Sequence, residues 1–255
     1  MRIPPADFTM NQETLHSLIQ LFREARPAAV LTGAGISTES GIPDFRSPGT
    51  GLYSRMDPME YLSVEAMMRR PERFWRMFAE INGPIAAAQP NAGHLALARL
   101  EEAGLVSALV TQNIDGLHHK AGSRRIIELH GHLRTARCEE CGRRCALSEA
   151  IAQLRESSRP YCAGCGGPLR PDVVLFGDML ETFPEAARAV REAKMLLVAG
   201  SSLGVHPANT LVYQTERLAI INRDPTPFDS MARAVLRAEC GEALRALADA
   251  LLEGV

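Results

Sequence analysis

The chain has 255 residues, 46% of them hydrophobic, enough for one sizeable core plus a smaller module. A formal net charge of -2, with no long run of like charge, excludes a nucleic-acid footprint or a patch for anionic membrane. The segment MRIPPADFTMNQETL has prolines where a secretion signal needs an apolar run, and no stretch approaches the ~18 apolar residues of a membrane span. A cytoplasmic location is therefore expected, where thiols stay reduced and clustered cysteines serve as metal ligands.

From Glu13 to Ala25 the residues Leu15, Leu18, Ile19 and Phe22 recur at helical spacing, and Pro27 closes that helix. Ala28 to Thr32 is a short apolar run ending at Gly33-Ala34-Gly35, the profile of a buried parallel strand feeding a glycine turn. Ile42 to Pro90 departs from this style, with a proline- and glycine-rich loop and a helical segment around Glu72 to Ile81 whose Phe74, Trp75 and Phe78 suit a core. A helix is predicted over Gly93 to Ala103, with Gly104 after it, and His94 packs near its start. Strands follow at Val106 to Thr111 and Ile126 to Leu129. Arg137 to Pro171 then holds five of the six cysteines. A helix over Glu185 to Glu192 and strands at Met195 to Gly200 and Leu218 to Asn222 complete the pattern.

Strands alternating with helices predict an α/β fold with a Rossmann-like, doubly wound parallel sheet. The large part takes in about residues 11–41, 91–136 and 172–255. A smaller lobe is expected from a helical insertion, about 42–90, and a zinc-ribbon insertion, about 137–171. The cleft between them is the natural place for a ligand.

Cys138-Glu-Glu-Cys141 and Cys162-Ala-Gly-Cys165 give C-x2-C twice, about twenty residues apart, the spacing of two knuckles around one tetrahedral zinc. Four sulfurs leave no position for water, so this zinc is expected to be structural. Cys145 competes for a ligand place, although C-x3-C suits a knuckle less well; with Cys240 it is read as a small buried hydrophobe. His118 and His119 are adjacent and so make a poor metal pair, and His206 is assigned no chemistry.

The turn at Gly33 to Gly35 fits either a plain tight turn or the start of a dinucleotide site. The third glycine of G-x-G-x-x-G would fall at Thr38, and no strand ending in an acid follows about twenty positions later. An ordinary hydride-transfer oxidoreductase is disfavoured on that ground.

The string GAGISTESGIPDFRSPGTGLY from Gly33 closely resembles the cofactor loop of sirtuins. TQNIDGLHHKAG from Thr111, ELHG from Glu128, VVLFGD from Val173, GSSLGVHPA from Gly200 and INRDPTPFD from Ile221 match that family in order, with the two knuckles in the expected interval. The resemblance covers about Gly33 to Asp229 and implies one catalytic domain over residues 1–255 that deacetylates lysine at the expense of NAD. NAD is then a co-substrate cleaved at its glycosidic bond. The implied products are nicotinamide, free lysine and 2'-O-acetyl-ADP-ribose; ADP-ribosyl transfer to protein at the same site stays open.

By the same resemblance, Gln112, Asn113 and Asp115 order the nicotinamide ribose and carboxamide, and Ile114 adds backbone contacts. Phe45 covers the reaction centre, Asp44 and Arg46 orient loop and phosphates, and Gly33, Ala34, Gly35 and Thr38 line the phosphate side. His130 is the implied general base: an unperturbed imidazole near pH 6.5 is largely free to accept a proton at neutral pH. Gly200, Ser201 and Ser202 would bind phosphate or adenosine ribose, and Asn222 the ribose, with Asp224 one place earlier than the family pattern has its acid.

Val173 to Gly177 would pair with an extended acetyl-lysine protein or peptide, Val174 and Gly177 through backbone and Phe176 against the acyl-lysine. Loose peptide specificity follows. Sirtuins that prefer succinyl or malonyl groups carry Tyr-x-x-Arg in the small lobe, and Phe74 to Pro90 has no tyrosine, so acetyl is the expected acyl group. The chain begins almost at its first helix and ends about twenty-five residues after its last motif, so regulation through NAD and nicotinamide levels is expected; a monomer is expected, although no motif in the sequence identifies the oligomeric state.

Overall fold

The structure is a computed structural model that describes residues 10–43 and 57–253. Asp44, Phe45 and Arg46 lie outside the described residues.

Among the described residues, six strands form one parallel sheet. They are β1 (Ala28–Thr32), β2 (Val106–Thr111), β3 (Ile126–Glu128), β7 (Met195–Ala199), β8 (Leu218–Ile221) and β9 (Ala234–Leu236), in the spatial order β3-β2-β1-β7-β8-β9. Renumbered as a single sheet this is 3-2-1-4-5-6, the dinucleotide-binding order, whose direction reverses between β1 and β7. The strand runs at 28–32 and 195–199 are buried along their whole length because both faces are covered. On one face Ala28, Val30, Met195 and Leu197 join the helices Gln12–Glu24, Ala92–Glu102 and Cys240–Leu252. On the other, Ala29, Leu31, Leu196 and Val198 pack on the helix Phe183–Glu192 and the turn Ala208–Gln214. Each fully buried aliphatic side chain contributes about 1.5–3 kcal/mol relative to exposure, so both covered faces hold the sheet in place.

A second, antiparallel sheet consists of β4 (Gly131–Cys138), β5 (Arg144–Ala146) and β6 (Leu169–Val173), ordered β5-β4-β6. Its edges reach residues 131 and 173, beyond the expected 137 and 171, because Gly131 pairs with Val173. One hydrophobic cluster unites this sheet with the helical insertion: Met67, Phe74, Trp75 and Phe78 pack against Ala136, Leu147, Leu169 and Val173. Phe74 stacks on Phe78 at 5.6 Å, and Trp75 stands edge-on to both. The helix Pro71–Ala87 starts with Pro71 in its first turn, where the missing N–H is harmless.

Candidate active site and metal centre

The chain reversal between β1 and β7 brings two turns together. Gly35 N–H donates to Gly200 O at 2.8 Å, and Gly33 N–H to Ala199 O at 3.3 Å. Gly200 has φ +65, and a Cβ there would lie 2.3 Å from Ile36 N; one on Gly35 would lie 2.8 Å from Gly200 O. The glycines are needed first for the contact between the two turns, a long-range role that neither a plain tight turn nor ligand approach describes. The backbone relaxes less easily at Leu203, a buried residue held at φ 53 with its N–H on Ser201 Oγ, a conformation that costs roughly 1–2 kcal/mol.

Behind this junction lies a buried polar network. Asn113 donates from Nδ2 to Gly33 O and to Ser37 Oγ, each at 3.1 Å. Ser37 Oγ donates to Asp115 Oδ2 at 2.8 Å, and Asp115 Oδ1 accepts Leu117 N–H at 2.8 Å. His94 Nε2 is 3.5 Å from Ser37 Oγ while its Nδ1 faces Asn91 Oδ1 at 3.1 Å, and the His118 ring sits 4.8 Å away with Nε2 on Thr32 Oγ1. Asn113 and Asp115 are thereby brought together, their scaffold side fixed before any ligand arrives. Sequence reasoning missed Ser37, which links them, and Glu39, whose carboxylate accepts Gly241 N–H at 2.5 Å across the start of the last helix. The signal for Ser37 was its place in the glycine turn; for Glu39 there was none.

Burial lowers the pKa of His94 to about 4, with Asp115 pulling the other way, and pushes His118 well below 6.5. A histidine buried neutral contributes stability above its unfolded value, and that stability is lost as pH falls from about 6.5 towards 4. His94 alone accounts for about 3 kcal/mol over that window, or roughly 6–12 °C in a chain of this size. Melting curves should therefore drop steeply from pH 6.5 to 4 in the wild type and less steeply in His94→Gln; equal slopes would contradict the assignment. The carboxyls of Asp172 and Asp229 are held below 3.8 despite burial, through Thr135 and two arginines and through Thr226 and Arg237, so their losses come at lower pH.

His130 follows β3, half-buried at the cleft wall. Its Nδ1 is 2.8 Å from Gln112 O, and a carbonyl only accepts, so Nδ1 carries a proton, and in the neutral ring Nε2 is the basic nitrogen. Gln112 also donates from Nε2 to Ser201 Oγ at 2.9 Å. Gly131, at φ +73, lets the chain leave His130 against β6: a Cβ there would sit 2.2 Å from Asp172 O.

His130, Gln112, Asn113 and the two glycine turns line one cleft of about 880 Å³, in the range of pockets that enclose a small-molecule ligand, with Asp115 behind this wall and not on it. Gly33, Ala34, Gly35, Thr38, Gln112, Asn113, Ile114, Gly200, Ser201, Ser202 and Asn222 all border it, as do Val174, Phe176 and Gly177. Asn222 spends its Nδ2 on Asp224 O at 2.8 Å, which shapes the turn after β8. Leu62, Phe78, Ile81 and Leu133 form an apolar wall.

The sulfur atoms of Cys138, Cys141, Cys162 and Cys165 all lie within 4.8 Å of one another. Cys138–Cys165 and Cys141–Cys162 are 3.5 and 3.7 Å apart, far too long for a disulfide and close to the ~3.8 Å edge of a tetrahedron with ~2.3 Å zinc–sulfur bonds. The Gly164 and Cys165 N–H groups bring the Cys162 thiol down to about 7. The Gly167 N–H lowers Cys165 too, but the three neighbouring thiols push it up to about 12. Four thiolates in this space repel one another, and a divalent cation removes that repulsion. Cys145 is half-buried beside the small core and Cys240 is buried.

A doubly wound sheet with a cleft at its reversal point, together with a four-cysteine module, defines a dinucleotide-using protein with a structural metal centre. A model of the Sir2 family matches residues 33–207, and the chain belongs to that family. NAD-dependent protein deacetylase 2 of Caldanaerobacter subterraneus subsp. tengcongensis is 46% identical over 230 residues, covering 89% of this chain and 91% of its own. NAD-dependent protein deacetylase of Chromobacterium violaceum is 44% identical, with 92% and 98% covered. Among solved structures, one described as Sir2-p53 peptide-NAD+ superposes with a TM-score of 0.84 at 38% identity, covering 94% of this chain and 98% of that one. Another, Sir2 bound to acetylated peptide, gives 0.84 at 36% identity over the same shares. Among the described residues no helix is long and apolar enough to cross a membrane.

Proposed function

We infer that the protein is an NAD-dependent protein lysine deacetylase. It cleaves NAD to nicotinamide and transfers the acetyl group of an acetyl-lysine protein or peptide to ADP-ribose, giving 2'-O-acetyl-ADP-ribose and free lysine. NAD supplies an acyl acceptor whose glycosidic bond breaks in the reaction. The observation that carries this reading is His130, its tautomer set by Gln112 O, on the wall of a cleft that also meets the turns at 33–35 and 200–202 and the 174–177 loop.

In this reading His130 accepts a proton at Nε2 from a ribose hydroxyl, which general-base catalysis makes worth about 10²–10⁴-fold. Asn113, held through Ser37 by Asp115 behind it, offers its Oδ1 to ribose and carboxamide as a preorganised acceptor, while both Asp115 oxygens are spent on Ser37 and Leu117 N–H. Gln112 and Ile114 flank them. The backbone of Gly33 to Gly35, the Thr38 side chain and Gly200 to Ser202 serve the phosphates and adenosine ribose, with Asn222 beyond. Asp44, Phe45 and Arg46 are assigned to the cover of the site. Cys138, Cys141, Cys162 and Cys165 hold the structural zinc. Residues 1–255 are read as one catalytic unit, supported by the single core that the helical insertion shares with the zinc module, and the reduced-thiol chemistry favours a cytoplasmic location.

The wall of Leu62, Phe78, Ile81 and Leu133 offers a neutral acyl group an apolar surface and an extra carboxylate no partner. Acetyl-peptides should be turned over at least tenfold faster than succinyl-peptides of the same sequence; the reverse order would refute the assignment. The reaction itself is tested with NAD labelled in its adenylate. Label recovered in acetyl-ADP-ribose supports deacetylation, and label fixed on protein would replace it with ADP-ribosyl transfer.

A further inference from the structure

The substrate loop is a tight turn closed by its own carboxylate. Asp178 N–H donates to Leu175 O at 3.0 Å, Gly177 has φ +100, and Leu175 N–H donates back to Asp178 Oδ2 at 2.8 Å. The same carboxylate meets the Arg170 guanidinium from β6, Nη2 at 2.5 Å from Oδ2 and Nη1 at 3.4 Å from Oδ1. Arg170 is only 9% exposed. Its Nε is buried with no hydrogen-bond partner, so the Asp178 carboxylate is the group that compensates this cation.

Around that pair three separate parts of the chain converge. Val174 N–H donates to His130 O at 2.9 Å, Phe176 N–H to Leu62 O at 3.1 Å, and Val64 N–H to Phe176 O at 3.0 Å. The turn is thus the piece that joins the segment after β3, the helical insertion and the small sheet. Arg170 itself has its register set by the neighbouring pairs Cys138↔Leu169 and Arg137↔Arg170. A buried ion pair is a poor source of stability, since two apolar residues of similar volume often serve as well or better. What it adds here is direction: only a carboxylate anchored on a fixed cation presents one oxygen to Leu175 N–H and so fixes the backbone of Leu175 and Phe176.

We propose that Arg170 and Asp178 are positioning residues for the acyl-peptide, holding the 174–178 turn in the shape on which the peptide docks. This rests on the deacetylase reading. The NAD side should be indifferent to the pair, because the turns at 33–35 and 200–202 are held by bonds to each other and to Asn113 and Gln112.

The test uses the zinc-loaded full chain and a dye-labelled acetyl-lysine peptide. Peptide Kd is read by fluorescence anisotropy, KM for peptide and for NAD by turnover, and stability by thermal melting. Asp178→Asn and Arg170→Lys should each raise peptide Kd and KM about tenfold while KM for NAD stays within twofold. The double variant Arg170→Met/Asp178→Leu removes both charges at similar volume. It should keep the wild-type melting temperature and still bind peptide about tenfold more weakly, a split that a merely structural pair would not produce, and it decides the matter if Asp178→Asn does not fold. Wild-type peptide affinity in the folded double variant, or equal losses for peptide and NAD, would overturn the proposal. A wild-type protein that binds no acetyl-peptide would instead refute the deacetylase reading.

Discussion

Stripping the zinc, or replacing Cys162 by Ser, is expected to unfold the antiparallel module while leaving the parallel sheet folded. Cys162 is 5% exposed and its N–H donates to Gly167 O at 2.8 Å, so the second knuckle leads directly into β6. Without the cation, four thiols within 4.8 Å must either stay protonated or repel. Structural zinc sites contribute on the order of 10–16 kcal/mol of apparent binding free energy at pH 7, more than a module with one small core can replace. The parallel sheet has its own two hydrophobic clusters on either face and shares no cysteine ligand. Hydrogen exchange after chelation should show residues 131–173 exchanging fast, the strands at 28–32 and 195–199 staying protected, and deacetylation abolished. Uniform protection across both sheets would show that the metal is dispensable to the fold.

His130→Ala should lower deacetylation by about 10²–10⁴-fold, the usual contribution of a positioned general base. The loss should be in kcat, with the melting temperature changed by no more than a few degrees. The side chain is only half-buried, and its bond to Gln112 O is made at a strand end where solvent can replace it. Gln112→Ala should be far milder, because the bond that sets the His130 tautomer comes from the Gln112 backbone and survives the substitution. A comparable collapse in both variants would mean that the Gln112 side chain, through Ser201 or through the ribose, matters to turnover as much as proton transfer does.

Much of this architecture was legible in the residue order. Apolar runs such as Ala28 to Thr32 and Met195 to Gly200 read as buried parallel strands because both faces of the sheet are covered, and C-x2-C spacing read as a metal centre because thiolate geometry permits little else. Short or cross-chain features were not legible. The strand Ala234–Leu236 has only three residues and exists through its pairing with β8. Gly131 and Val173 extend the small sheet because their backbones meet, which no local pattern announces. In the site, His130 stood out by its motif, whereas Ser37 and Glu39 act on partners far away in sequence, and Arg170 and Asp178 meet only because the chain turns back between them. Such residues carry an ordinary local signature, and only the fold shows what they touch. His94 was read as a packing residue and His118 as a poor metal ligand; both are buried, and His94 in addition backs the Asn113–Ser37–Asp115 network.

The most direct measurement of the central claim is nicotinamide release from NAD, with and without an acetyl-lysine peptide, for the wild type and His130→Ala side by side. Steady release that requires the peptide, matches the deacetylated peptide formed and largely disappears in the variant is the predicted result. Release that proceeds at the same rate without peptide, or no release from the zinc-loaded wild type, would contradict it.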